Sequence, residues 1–131
     1  MFLAAPLHQR QVGDLQCNVD RFKIVSSLAA TGKAVKAIDT TDPATASAVT
    51  AAQAGLTSAG DGIKTIALSL VTGQAAPADA RTQVGAGLTA AKTALAGITE
   101  CVPAAAATVA AAQTQLATTI QDGGDVVADC K

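Results

Sequence analysis

Aromatic residues are almost missing from this chain. It has no Trp and no Tyr, and its two phenylalanines are Phe2 and Phe22. That is too little to build a base-stacking platform for single-stranded nucleic acid. Positive charge is not concentrated either. Nine Lys and Arg residues are scattered along 131 positions, the net charge is −1, and no basic patch or stripe of the kind a nucleic-acid binder needs is present. No run reaches the roughly 18 apolar residues of a membrane span, so no transmembrane segment is expected. The single histidine, His8, lies in the N-terminal tail, far in sequence from Cys101 and Cys130. A nucleophile needs an adjacent base or a lowered pKa. No catalytic residue is therefore assigned, and the chain reads as a non-enzyme.

Alanine takes the place of large side chains, with 32 copies, and the chain repeats itself. "PATASAVTAAQAGL" (Pro43 to Leu56) returns sixty residues later as "PAAAATVAAAQTQL" (Pro103 to Leu116). Between Leu28 and Leu56, 12 of 29 positions match those of Leu88 to Leu116, among them Ile38/Ile98, Pro43/Pro103, Val49/Val109 and Leu56/Leu116. The repeat predicts two similar helical hairpins.

Apolar residues recur every three or four positions throughout, which is a helical period. In a first helix, capped by Asn18, Val19, Phe22, Val25, Leu28, Val35 and Ile38 form the expected apolar stripe. Asp42 and Pro43 open a second helix, which carries Val49, Ala52, Leu56, Ala59, Ile63, Ile66 and Leu70 and ends near Gly73. Pro77 opens a third, with Val84, Leu88, Ala91, Leu95, Ile98 and Val102. Pro103 opens a fourth, with Ala105, Val109, Ala112, Leu116 and Ile120. "DGGD" (Asp122 to Asp125) then interrupts, and the residues that follow read as a final turn. The expectation is an all-α, antiparallel, up-down-up-down four-helix bundle over residues 17–131. Residues 1–16 read as a disordered tail left from a signal or pro-segment.

That topology sorts the three cysteines. The first helix starts and the fourth ends at one pole, which predicts a Cys17–Cys130 disulfide. Cys101 falls at the opposite pole, some 30 Å away for helices of ~20 residues. It is left as a free thiol or as the link of a homodimer.

Little other chemistry is visible. Asp42, Asp79 and Glu100 read as helix caps and solvated charges. "DGGD" lacks the alternating ligands and closing Glu of a calcium loop, so neither metal nor cofactor is expected. "VGAGL" (Val84 to Leu88) follows no strand, and its glycines read as close-packing positions rather than a dinucleotide fingerprint. Thr82 and Thr93 share one helix face, but the series stops at two, too short for an ice-binding array. What remains are the apolar seams. Where packing between Ala- and Gly-rich helices is incomplete, they enclose a gap for an apolar guest. The expected lining residues are Leu28, Val35, Ile63, Ile66, Leu70, Leu88, Leu95 and Leu116. The other reading of these positions is a completely filled core.

The stretch "NVDRFKIVSSLAATGKAVKAIDTTDPAT", in a Trp-free chain rich in Ala, Ser and Thr, resembles fungal hydrophobic surface-binding protein A and the related cell-wall galactomannoproteins. The resemblance covers most of Asn18 to Val127 and rests on composition and helix pattern. It implies a secreted or wall-associated helical bundle that adsorbs to hydrophobic surfaces, or that holds fatty acids between its helices; the apolar seams by themselves would suit a fatty acyl chain or a sterol. The alternative is a structural wall component or secreted effector with no small-molecule ligand.

Overall fold

The computed structural model describes residues 15–98 and 105–130. They form α1 (Leu15–Lys36), α2 (Pro43–Val71), α3 (Ala78–Ile98) and α4 (Ala106–Asp129), with no strand among the described residues. Cross-helix contacts fix the directions. Cys17 of α1 is bonded to Cys130 after α4, and Thr31 meets Thr119. Gln113 of α4 donates its side-chain N–H to the Leu95 carbonyl of α3. Gly55 of α2 lies against Gly87 of α3. Each neighbouring pair is antiparallel, so the up-down-up-down bundle is the fold. Residues 1–14 and Glu100, Cys101, Val102 and Pro103 lie outside the described residues. Leu15 and Gln16, assigned above to the tail, begin α1.

The four helices associate as two close pairs, α2 with α3 and α1 with α4. Between α2 and α3 the backbones touch. A Cβ on Gly55 would stand 2.6 Å from the Gly87 carbonyl oxygen, and one on Gly62 would stand 2.8 Å from that of Ala80. Only hydrogen fits at these places, and the surrounding seam residues Ala52, Ala59, Ala80 and Ala91 are small and buried. Dispersion between closely apposed backbones does here what large side chains do in an ordinary bundle. Gly87 is one of the two "VGAGL" glycines; the other, Gly85, faces open space.

Between α1 and α4 the link is covalent and polar. The Cys17–Cys130 disulfide joins Cα atoms 4.9 Å apart. Further along, the buried hydroxyls of Thr31 and Thr119 lie 2.9 Å apart, and each reaches a carbonyl one turn back, Ser27 at 2.8 Å and Gln115 at 3.1 Å. Two hydroxyl protons are shared over these three contacts, so neither buried oxygen is left without a partner.

The repeat is visible in the core. Ile38 and Ile98, Val49 and Val109, Ala52 and Ala112, and Leu56 and Leu116 are all buried in one cluster. The start of α2 is as expected. Asp42 accepts from the Thr45 amide at 2.9 Å, and Pro43 takes the first turn. At its end Gly73, with φ +80°, occupies the left-handed conformation that suits a residue lacking Cβ.

Four expectations need correction, the first being Ile120 in the α4 seam: it is exposed, and Thr119 takes the inward position. Asn18 is no cap: α1 begins at Leu15, and the Asn18 side chain accepts instead from Arg21 Nη1 at 2.9 Å. The stripe of α1 is also wrong over its first half. Its buried face is Cys17, Asp20, Ile24, Ser27, Thr31 and Val35, while Val19, Phe22 and Val25 are exposed. The disulfide turns Cys17 inward. At ~100° per residue, Phe22 is then about 140° round the helix. Finally, "DGGD" does not interrupt α4, which runs unbroken to Asp129.

Candidate functional site

The disulfide pole gathers the start of α1, the end of α2, the start of α3 and the end of α4. There the bundle opens into a groove of about 250 Å³. Ile63, Ile66 and Leu70 form the α2 wall, and Val84 of α3 lies opposite. Ile24 and Val25 enter from α1, and Gly123, Val126, Val127 and Cys130 from α4. The surface is almost wholly hydrocarbon. Its charged members are Arg21, half-buried on α1, and Arg81, exposed on α3.

The α2 seam explains why the groove is here. Val49, Ala52, Leu56 and Ala59 are buried, yet Ile63 and Ile66, continuing the same spacing of three and four, remain partly open. The facing stretch of α1 turns only Ile24 inward as a large apolar residue, flanked by Asp20 and Ser27, and α4 presents Gly123. Too little side-chain volume converges on this pole to close it. Exposed apolar residues are frequent on the exterior. Leu15, Val19, Phe22, Val25, Leu68, Val71 and Val127 all belong to this half of the bundle, with Phe22 73% and Val71 84% exposed. Of these, Val25 and Val127 line the groove itself. Ile120, in the second half of α4, is exposed as well and lines the second depression described below.

Of the eight residues expected to line a ligand space, Ile63, Ile66 and Leu70 come together in the groove wall. Leu28 is half-buried and packs against the core near Gly60. Val35, Leu88, Leu95 and Leu116 are buried in the closed core. Leu116 also backs a second depression of about 350 Å³ between α3 and α4, whose rim carries Lys92, Gln113 and Gln121. That depression, with its polar edge, is a poorer match to a greasy guest than the four-helix groove. Sequence reasoning missed Ile24, Val84, Val126 and both arginines. One signal for the α4 residues was available: Val109, Ala112, Leu116, Thr119, Gly123, Val126 and Cys130 are spaced three and four throughout, straight across the glycine pair.

Asp20 is the one polar oddity near this pole. It is 1% exposed. One carboxylate oxygen accepts from Gln16 Nε2 at 2.9 Å and the other has no hydrogen-bond partner. Among the described residues, no three His, Cys, Asp or Glu side chains cluster closely enough to hold a metal, and no helix is long and apolar enough to cross a membrane. Compared with protein-family models, curated proteins and solved structures, the chain shows no match.

Proposed function

We propose that this is a non-catalytic binding protein for apolar chains and surfaces, with the disulfide-pole groove as its site. The observation that carries the reading is the α2 seam, closed as far as Ala59 and then open at Ile63, Ile66 and Leu70 among further apolar walls. At about 250 Å³ the groove is smaller than the ~300–1,000 Å³ of typical ligand pockets. An acyl chain would insert in part and lie along the exposed Val25 and Val127 for the rest. Each buried CH₂ contributes about 0.8 kcal/mol before ordering costs. Arg21 and Arg81 beside hydrocarbon favour an acidic headgroup, such as a carboxylate, over the lone hydroxyl of a sterol. The disulfide supports residence in an oxidising compartment. With the resemblance to fungal surface-binding and wall proteins, it supports a secreted, wall-associated role. With Cys17 paired to Cys130, Cys101 remains available to link two copies, which a non-reducing gel would detect.

Titration with 11-(dansylamino)undecanoic acid tests the reading. Saturable fluorescence is expected, with affinity lowered at least about tenfold by Ile66→Asp, because a charge in the wall must be desolvated when the chain enters. No binding of this probe, together with no retention on a phenyl resin, would leave the packed-core wall component as the better description.

A further inference from the structure

The last two turns of α4 form a helix that their own sequence resists. Gly123 and Gly124 are adjacent, and glycine is the poorest helix former after proline. Asp125 and Asp129 lie at the C-terminal end, where the helix dipole disfavours negative charge, and the last turn holds no basic residue. The helix nevertheless continues, closing with the Cys130 amide on the Val126 carbonyl at 2.8 Å. Tertiary contacts support it. Gly123 lies beside Ile24, Val126 packs against the core cluster, and Cys130 is bonded to Cys17. These same turns supply Gly123, Val126, Val127 and Cys130 to the groove.

We propose that the Cys17–Cys130 disulfide is a reducible latch. It holds the end of α4 helical and keeps one wall of the groove in place; its reduction unwinds residues 122–130 and opens the groove. The reductant is a dithiol, small or protein-borne. Cys17 is fully buried, whereas Cys130 is half-buried in the groove wall, so the attacking thiolate reaches Cys130 Sγ. The S–S bond breaks, its electron pair passes to Cys17 Sγ, and that sulfur takes a proton. The reductant's second thiol then attacks the mixed disulfide, releasing the Cys130 thiol and leaving the reductant as a disulfide. Occupancy and redox state are coupled in both directions. A chain lying over Cys130 favours the oxidised form, and reduction weakens the binding of that chain by the same factor. The latch stands on the helix and the disulfide; its effect on ligand release rests on the groove reading above.

Hydrogen exchange on the full chain, oxidised and after dithiothreitol, tests the latch. Amides of residues 122–130 should exchange at least about tenfold faster when reduced, while those of α2 and α3 around Gly55 and Gly87 keep their protection. Unchanged exchange over 122–130, or equal loss in all four helices, overturns the proposal. Gly124→Ala adds a Cβ that meets nothing within 4 Å. It should restore about fivefold of the lost protection in the reduced protein, and no recovery would argue against conditional helicity. In parallel, affinity for 11-(dansylamino)undecanoic acid should fall on reduction. Unchanged affinity despite faster exchange rules out groove opening. If the oxidised protein does not bind the probe at all, the groove reading fails and the exchange data alone judge the latch.

Discussion

The pole where α1 turns into α2 and the pole that carries the disulfide are made from the same four seams, yet one is closed and the other open. At the first, Val35, Ile38, Val49, Leu95, Ile98 and Val109 interlock and are almost wholly buried. At the second, Ile63, Ile66, Leu70 and Val126 reach the core only at its edge, and a covalent bond ties together what packing leaves loose. Helical period alone therefore does not make a core. Closure depends on how much side-chain volume the facing helices bring to the same level, and Asp20, Ser27 and Gly123 bring too little. Stability belongs to the closed pole, and opportunity for binding to the open one.

The sharpest test of that contrast pairs two truncations. Leu95→Ala, at 0% exposure in the closed half, should cost about 3 kcal/mol in denaturant unfolding and leave binding of a dansylated fatty acid unchanged. Ile66→Ala at the open pole should cost about 1 kcal/mol or less and weaken that binding. Equal losses of stability would mean that the two poles pack alike. Next in size, Gly87→Ala places a methyl against the Gly55 carbonyl and the Ala59 backbone, and should lower stability by about 2 kcal/mol through forced separation of α2 from α3. Thermal unfolding would show it.

Smaller still is the effect of replacing the buried, half-satisfied carboxylate. Asp20→Leu removes an orphaned acceptor and fills space at the open pole, so the midpoint in urea should rise by the equivalent of about 1 kcal/mol. A fall would mean that Asp20 has a role in orienting α1.

The smallest effect concerns the turn at the closed pole. There the Thr41 hydroxyl, then its amide, hydrogen-bonds to Asp39 and holds that carboxyl below its ordinary pKa. A lowered folded value means the contribution is complete above the ordinary aspartate pKa and is lost as pH falls through the lowered one. An NMR titration of Asp39 should show the depressed midpoint, moved back upward in Thr41→Ala, whose amide bond remains.

Much of this architecture was legible beforehand. The alternating spacing in α2, the Asp42–Pro43 start and the duplicated Ile38/Ile98 and Val49/Val109 positions identify helices and their inward faces without any coordinates. The pairing of Cys17 with Cys130 follows once four antiparallel helices are assumed. Three of the eight expected ligand residues, Ile63, Ile66 and Leu70, reach the groove. The failures have a common cause. In α1, Val19, Phe22 and Val25 have the spacing of an apolar face, yet the bond at Cys17 and the threonine contact at Thr31 set the rotation of the helix. In α4, the poor local propensity of Gly123 and Gly124 suggested an end that the bond at Cys130 and the packing of Val126 prevent.

By itself the sequence determined the number of helices, their order, most of their boundaries and the cysteines that meet, because period, caps and proline positions act over a few residues. Only the tertiary structure decided which face of α1 turns inward, which helices pair most closely, and which pole stays open. Those outcomes depend on backbone approach at Gly55 and Gly87 and on volume summed across four helices. They are sums over residues distant in the chain, and no local pattern contains them.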